Sequence, residues 1–187
     1  MPETRSRILL TMAKLIEKQG YHATGLNEII RESGAPKGSV YYYFPGGKEQ
    51  IGAQAILESG KIISGRLRGL LEQESSSAEA VHNFIMLLAN NMEASNYELA
   101  SPLTTASIET AIISERINQA CREAFDLIRN VFKDKFLGDG FAEIQAEESA
   151  LYVTTVIEGG ILMSRTYHRA EPLRLAARCL RVYLSSL

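Results

Sequence analysis

Between Thr24 and Lys48, side chains able to bind nucleic acid recur at close spacing. Lysine, glycine and serine occupy positions 37–39, and three consecutive tyrosines follow at 41–43. A lysine ammonium can donate to the O6 and N7 atoms of guanine, and a serine hydroxyl can bond a base edge or a phosphate. Tyrosine offers a hydroxyl to phosphate oxygens and a flat ring to sugars or thymine methyl groups. The pattern therefore predicts contacts with double-stranded DNA.

A helix-turn-helix is the structural unit that would present these side chains. The stretch from Thr24 to Phe44 favours two short helices separated by a turn at Gly34, where a positive φ is expected. Thr24 can cap the first helix, and its hydroxyl and the free N–H groups beside it can bind a phosphate. Pro36 suits the first turn of the second helix, because its missing N–H would be unpaired there anyway.

The apolar residues of the second helix predict which way it faces. Val40 and Phe44 are spaced i, i+4, so both are expected to point into the core. One short helix cannot bury three tyrosines in a row, so at least one ring must point outward, where it needs a partner. Ordinary packing of a tyrosine and ordinary solvation of a lysine are the alternatives for each residue taken alone.

Composition agrees with a DNA-binding protein and excludes several other classes. The 187 residues are 45% hydrophobic and 22% charged, as in ordinary globular proteins, and carry a net charge of −2. Residues 1–50 hold seven Lys/Arg against five acids, so a small positive excess coincides with the motif. The sequence lacks G-x-S-x-G, H-E-x-x-H and Walker motifs, and its three histidines are scattered. We therefore expect neither an enzyme nor a metal or cofactor site.

The two cysteines, Cys121 and Cys179, lie far apart and belong to no metal-binding pattern. We expect both thiols to be buried and reduced in a cytoplasmic protein, with a redox role as the open alternative. No apolar stretch of a signal peptide follows the first residues. The least charged window, residues 149–164, is too short to span a bilayer, so no membrane association is expected.

The whole chain is expected to be helical, because no alternating apolar and polar run is long enough for a sheet. Caps, glycine breaks and apolar stripes predict an all-α protein of about nine helices. The inner stripe of the first helix is expected at Ile8, Met12 and Leu15/Ile16. Apart from the two helices of the motif, the predicted helices span about 4–18, 48–72, 78–92, 103–113, 115–136, 142–167 and 171–184.

Residues 149–164 carry one charged side chain, Glu158, over about four helical turns. A surface helix would show one apolar stripe, whereas this segment is apolar or small on nearly all sides. We therefore expect one side to be covered by its own domain and the other by a second copy of the chain, with the last helix completing a four-helix interface. A central helix in a monomeric bundle is the alternative. The predicted interface residues are Val153, Ile157, Gly160, Ile161, Ala177 and Leu180.

Gly159 and Gly160 lie within this segment, and each costs roughly 0.5–1 kcal/mol relative to alanine in a helix. Close approach of a neighbouring helix, a kink or room for a ligand would each account for them. An apolar cavity with a few polar groups would fit a small, largely hydrophobic ligand, with ordinary core packing as the alternative. The candidate lining residues are Phe84, Met86, Asn90, Ile108, Glu109, Phe125 and Glu158.

The first 50 residues resemble the DNA-binding domain of the TetR family of transcriptional regulators. The matching stretch reads RILLTMAKLIEKQGYHATGLNEIIRESGAPKGSVYYYFPGGKEQI. Within it, G-Y-x-A-T, S-G-A and G-S-x-Y-x-Y-F followed by a lysine carry the likeness. GAPKGSVYYYFPGGKE resembles the LmrA/YxaF-like branch, as do SIETAIISERI and the EGGI stretch in the second half. Gln50 and Ile51 depart from the usual acid and leucine, which should affect only the packing of the fourth helix.

The resemblance implies a helix-turn-helix DNA-binding domain over residues 1–47 and a helical ligand-binding and dimerisation domain over residues 48–187. It also implies a homodimeric repressor that binds a palindromic operator and is released by a small-molecule effector. A helical protein-interaction module without DNA binding is the alternative. The implied base contacts are Lys37, Gly38, Ser39 and Tyr42, and the implied phosphate contacts are Thr24, Tyr41, Tyr43 and Lys48.

Overall fold

The computed structural model describes residues 3–98, 101–110 and 112–187, and every regular element in these ranges is an α-helix. The all-α class and the expected number of helices are therefore confirmed for the described residues. The nine helices are α1 (Glu3–Gln19), α2 (Leu26–Ser33), α3 (Lys37–Tyr43), α4 (Gly47–Leu71), α5 (Ser77–Ala94), α6 (Pro102–Thr110), α7 (Glu115–Gly138), α8 (Glu143–Tyr167) and α9 (Glu171–Ser185).

Local signals predicted most helix ends to within two residues. The turn at Gly34 has the expected positive φ of 60°. Ser114 caps α7 as expected, because its Oγ accepts the N–H of Ile117 at 3.2 Å. Two expectations are wrong: Gly25 rather than Thr24 is the N-cap of α2, and α6 ends at Thr110. The predicted connector at 97–102 includes residues 99 and 100, which lie outside the described residues.

The chain forms two compact units. Unit 1 consists of Met1–Ile62 and Ser101–Phe125, and unit 2 consists of Ile63–Ala100 and Asp126–Leu187. This division differs from the domain boundary after residue 47 that the family resemblance implies. The first part of α4 belongs to unit 1, and α6 packs against α1. Helices α2 and α3 therefore share their unit with a later segment of the chain.

The core of unit 1 forms around the predicted stripe on α1. Ile8, Met12 and Ile16 are fully buried, as their spacing indicates. Helices α2, α3 and α6 pack against α1, and Val40 and Phe44 bring α3 into the core. Burying one such side chain contributes about 1.5–3 kcal/mol, so the orientation of α3 is strongly fixed.

In unit 2, α5, α8 and α9 pack together, and aromatic rings join α5 to α7. The ring centroid of Phe132 lies 6.1 Å from that of Phe84 and 6.3 Å from that of Phe136. On the surface, Lys133 of α7 binds Glu143 and Glu147 of α8 at 2.6 and 2.7 Å. Among the described helices, none combines the length and apolar character that a bilayer crossing requires.

Both cysteines are free thiols, but only one is buried as expected. Cys121 lies inside unit 1, where burial raises the pKa of its thiol and the neighbouring Ser107 side chain opposes that change. Cys179 is exposed, because α9 turns its other side, with Ala177 and Leu180, into unit 2.

Candidate nucleic-acid interface

Helix α3 turns its polar and aromatic side chains outward. Val40 is 1% exposed and Phe44 is fully buried, whereas Tyr42 is 80% exposed. Lys37 and Gly38 at the start of the helix are exposed as well. The predicted orientation is therefore confirmed, because the i, i+4 pair occupies the inner side and leaves the DNA-binding candidates on the outer side.

The three tyrosines of α3 differ in their surroundings. Tyr42 and Tyr41 are exposed, and Tyr43 is half-buried. The Tyr43 ring packs edge-on against Tyr42 at 5.1 Å and against Phe44 at 6.4 Å between centroids. Edge-to-face pairs of this kind favour one arrangement of the two rings. Tyr43 therefore connects the outermost ring to the core of unit 1 and restricts its motion.

The first turn of α3 is open surface. A Cβ placed on Gly38 would meet no atom within 4 Å. Ser39 is half-buried, and its N–H donates to the carbonyl oxygen of Pro36 at 2.9 Å, which starts the helix. Small residues here allow another molecule to approach the helix backbone, as a reader of base edges requires.

Thr24 lies beneath this surface instead of on it. Its side chain is fully buried, and its hydroxyl donates to the carbonyl oxygen of Gly20 at 2.7 Å. The phosphate contact expected from this hydroxyl is therefore not available in this arrangement. The N-cap position belongs to the exposed Gly25, whose N–H lies 3.5 Å from Oε2 of Glu28.

Lys48, in the first turn of α4, already has partners within unit 1. Its ammonium donates to the carbonyl oxygen of His22 at 3.3 Å and lies 4.3 Å from the centroid of the Tyr21 ring. Burial lowers the pKa of Lys48, and the nearby carboxylate of Glu109 opposes that change. The ammonium is thus held in a defined position beside the turn that precedes α2.

Glu109 was expected to line a ligand cavity, but the structure places it against the α1–α2 turn. Its Oε2 accepts the backbone N–H of His22 at 2.9 Å. The carboxylate binds the backbone of the turn there, and its role in ligand recognition stays a prediction. No local sequence rule predicts this contact, since it joins residues 87 positions apart.

The other ligand candidates are divided between the two units. Ile108 is exposed and Phe125 is half-buried in unit 1, and Asn90 is exposed in unit 2. Phe84 packs its ring on Phe132 as part of the aromatic cluster. The remaining candidates, Met86 and Glu158, are half-buried in unit 2.

A groove of about 460 Å³ lies between α5 and α9 in unit 2. None of the predicted ligand residues lines it. Two arginines at its edge are held in ion pairs, Arg178 with Glu171 at 2.8 Å and Arg181 with Glu79 at 2.6 Å. Its lining residues are His82, Arg178, Arg181, Val182, Ser185 and Ser186.

The six residues predicted for a dimer interface are buried within a single chain. These side chains lie on the sides of α8 and α9 that face each other and α5, so they form part of the core of unit 2. The assignment of these side chains to a contact with a second chain is therefore corrected. They are Val153, Ile157, Gly160, Ile161, Ala177 and Leu180.

The opposite side of the same two helices carries exposed apolar side chains, which we call the outer α8–α9 face. Leu151 is 53% exposed and Leu162 is 47% exposed on α8. The other exposed apolar residues of this face are Tyr152, Met163, Leu175 and Val182.

Comparison with known proteins identifies the family of the chain. Residues 8–55 match the family described as bacterial regulatory proteins, tetR family. Residues 77–179 match the family described as transcriptional regulator LmrA/YxaF-like, C-terminal domain. The uncharacterized HTH-type transcriptional regulator YxaF of Bacillus subtilis (strain 168) is 38% identical over 175 residues, covering 94% of this chain and 92% of that protein. The HTH-type transcriptional regulator LmrA of the same organism is 36% identical over 178 residues, covering 95% of each chain.

Solved structures share the fold at low sequence identity. Reduced NemR from E. coli superposes with a TM-score of 0.82 at 20% identity, covering 95% of both chains. A cysteine-substituted CifR regulator in complex with a 26-base-pair operator duplex has a TM-score of 0.74 at 19% identity, covering 94% of both chains. With two family matches and two relatives above 35% identity over nearly the whole chain, this protein belongs to the TetR family of helix-turn-helix, DNA-binding transcriptional regulators, in its LmrA/YxaF-like branch, and is not an enzyme.

Proposed function

We propose that this protein is a homodimeric repressor that binds a palindromic operator through α3 and leaves it when a small-molecule effector binds to the helical region 48–187. The outer side of α3 carries the proposal: Lys37, Gly38 and Tyr42 are exposed together on a helix that Val40 and Phe44 fix in the core. An exposed aromatic ring next to a lysine and an open glycine suits a major groove better than water.

Base edges and phosphates would be contacted by different parts of this surface. Lys37, Gly38 and Ser39 begin α3, the end that a recognition helix inserts most deeply, and Tyr42 follows on the exposed side. Tyr41 and Tyr43 flank it with hydroxyls for phosphate oxygens. The phosphate-binding residues of the proposal are Tyr41, Tyr43 and Lys48, with Thr24 supporting the turn from within.

Dimerisation would use the outer α8–α9 face. Apolar side chains gathered on one surface mark a protein interface, and two copies related by a two-fold axis would cover them with each other. A two-fold dimer also matches the symmetry of a palindromic operator, whose half-sites lie roughly 34–36 Å apart. The structure of the CifR regulator with its operator duplex supports DNA binding by this fold.

The effector would be a small and largely hydrophobic molecule. Phe84, Met86, Asn90 and Glu158, which all belong to unit 2, remain the proposed contacts, since they combine apolar surface with a few polar groups. Repression and release would take place in the cytoplasm, where the operator DNA lies.

The first test concerns α3. Tyr42→Ala and Lys37→Ala are each expected to weaken operator binding by about tenfold or more, because a specific side-chain contact with a base contributes about 1–3 kcal/mol. Tyr42→Phe separates the ring from the hydroxyl. Binding is measured by fluorescence anisotropy on a duplex that the parent protein selects from a random pool, and sedimentation follows the association state, which should not change.

Lys14→Ala is the matched control for Lys37→Ala, because it removes a positive charge from an exposed site on α1 of the same unit. It should bind the selected duplex nearly as tightly as the parent. If Tyr42→Ala and Lys37→Ala also do so, α3 is not the recognition helix. A parent protein that ignores every duplex at low ionic strength would instead favour a helical protein-interaction module.

A further inference from the structure

The α1–α2 turn, residues 20–24, is held by hydrogen bonds within itself and by one from the last residue of α1. The carbonyl oxygen of Gly20 accepts the hydroxyl of Thr24 at 2.7 Å, and that of Tyr21 accepts the N–H of Thr24 at 3.2 Å. The carbonyl oxygen of Ala23 accepts the side-chain amide of Gln19 at 3.3 Å. These bonds close the turn but leave the polar groups of His22 to more distant partners.

His22 is the residue at which α4 and α6 reach this turn. Its N–H donates to Oε2 of Glu109 at 2.9 Å, and its carbonyl oxygen accepts the ammonium of Lys48 at 3.3 Å. A further contact joins Nε2 of His22 to the carbonyl oxygen of Glu109 at 3.3 Å. Glu109 of α6 therefore binds the N–H of His22, and Lys48 of α4 binds its carbonyl oxygen.

The turn has a space that fits the carboxylate of Glu109. A Cβ on Gly20 would overlap Oε1 of Glu109, and the φ of Gly20 is +89°, which disfavours any other residue. Glu109 also favours the charged form of Lys48, against the effect of burial on the pKa of that ammonium. The carboxylate thus acts on the turn by contact and on Lys48 through its charge.

Of the two groups that Glu109 influences, Lys48 belongs to the proposed DNA-binding surface, and the turn leads into the helix-turn-helix. The turn leads directly into Gly25, the N-cap of α2, and Lys48 is a proposed phosphate contact. We propose that Glu109 is a positioning residue for operator binding, which fixes the His22 peptide and with it the start of α2 and the ammonium of Lys48. This adds a determinant of DNA affinity in α6, outside helices α1–α3, and rests on the operator binding proposed above.

The sign of the expected effect separates positioning from simple charge. DNA repels acidic side chains, so a glutamate that acted only through its charge would weaken binding, and its removal would strengthen it. Positioning predicts the opposite. Without Glu109, the N–H of His22 loses a charged acceptor, and Lys48 loses a nearby anion that favours its charged form.

The decisive variant is Glu109→Ala, which should weaken binding to the selected duplex by about tenfold, the usual effect of losing a hydrogen bond to a charged group. Glu109→Gln keeps an acceptor oxygen and should recover most of the affinity. Glu123→Ala removes the same charge from an exposed site on α7 in unit 1 and should bind as tightly as the parent or slightly more tightly. Anisotropy titrations over a series of salt concentrations measure all of these proteins.

A double-mutant cycle with Lys48 tests the coupling itself. In the parent, Lys48→Met should reduce the slope of log K against log salt by about 0.9, as expected for one lost phosphate contact. In the Glu109→Ala background, Lys48 is no longer held in place, so the same change should have little further effect. A merely structural role of Glu109 would not alter the slope attributable to Lys48.

Circular dichroism and thermal unfolding show whether each variant is folded. If Glu109→Ala does not fold, the cycle is repeated with Glu109→Gln, for which a smaller coupling of the same sign is expected. The inference is overturned if the folded Glu109 variants bind as tightly as the parent or more tightly, or if the effects of Glu109 and Lys48 are additive. A parent that binds no duplex contradicts the proposed function and the inference together, whereas a binding parent with additive variants contradicts the inference alone.

Discussion

Helices α3 and α8 both expose large side chains, yet only one of them could be oriented from its sequence. In α3, Val40 and Phe44 are the residues that reach the core, and Tyr42 therefore points outward. In α8, Ile157 is buried and Leu162 is exposed, although both are aliphatic. A helix with one apolar stripe has one favourable orientation, whereas a helix that is apolar on all sides has several of similar energy.

The difference shows where sequence periodicity stops being informative. Residues 149–164 indicate correctly that α8 has two apolar sides, but not which of them faces its own chain. Packing decides that question, because Gly160 lies against Leu173 of α9: a Cβ on Gly160 would come within 2.8 Å of Cδ2 of Leu173. The interface residues expected from the sequence consequently belong to the core of unit 2.

A charged residue placed on each side of α8 gives the largest expected effects. Ile157→Lys would bury an unpaired ammonium, which costs about 3–5 kcal/mol and should unfold unit 2. Leu162→Lys places the same charge on the outer α8–α9 face and should give a folded monomer with weakened operator binding. Thermal unfolding followed by circular dichroism and sedimentation at several concentrations distinguishes the two outcomes.

Two results would break this comparison. A Leu162→Lys protein that remains dimeric would remove the outer α8–α9 face from the interface. An Ile157→Lys protein that is folded and monomeric would restore the orientation of α8 that the sequence suggested.

A glycine pair of variants tests the inner side of α8 with a smaller change. Gly160→Ala should lower the free energy of unfolding by about 1 kcal/mol, because the buried Leu173 has little room to move away. Gly69→Ala is the control within the part of α4 that belongs to unit 2, where an added Cβ meets no atom within 4 Å. It should raise the free energy of unfolding by roughly 0.5–1 kcal/mol through helix propensity alone. Chemical denaturation of both proteins is the measurement, and equal shifts in the two variants would show that α8 and α9 are not in close contact there.

The smallest expected effect concerns the surface ion pairs between α7 and α8. Glu143 and Glu147 raise the pKa of Lys133 to about 12, and Lys133 lowers the pKa of Glu147. A raised lysine pKa stabilises the fold below its ordinary value and loses this effect as the pH rises through about 12. A lowered glutamate pKa stabilises the fold above its ordinary value and loses this effect on acidification through the lowered one.

Lys133→Met should therefore lower the melting temperature slightly at neutral pH, and the difference from the parent should shrink in acid as Glu147 becomes protonated. Melting curves between about pH 2 and 7 measure this dependence. A difference that stays constant over that range would mean that Lys133 acts through packing of its alkyl chain and not through charge. The effect is small because both partners lie at the surface.

Local rules predicted a large part of the candidate site. The orientation of α3, the positive φ of Gly34 and the ends of the long helices follow from i, i+4 spacing, turn chemistry and caps, which depend on neighbouring residues only. The same rules failed at Thr24 and Cys179. Thr24 is a favourable N-cap residue by type, but its hydroxyl donates to the carbonyl oxygen of Gly20 instead of capping α2. For Cys179, the side of α9 that the fold covers could not be known from composition.

The amino-acid sequence by itself determined an all-α chain, a helix-turn-helix whose second helix turns tyrosines outward and membership of a regulator family, because each of these depends on short-range periodicity and on a compact motif. The tertiary structure alone decided which side of α8 is buried and where Glu109 lies. Those outcomes depend on contacts between residues far apart in the chain, such as Glu109 with His22, whose geometry only the packed helices define. Periodicity shows which residues share one face of a helix. Close packing of the whole unit decides whether that face lies inside or outside.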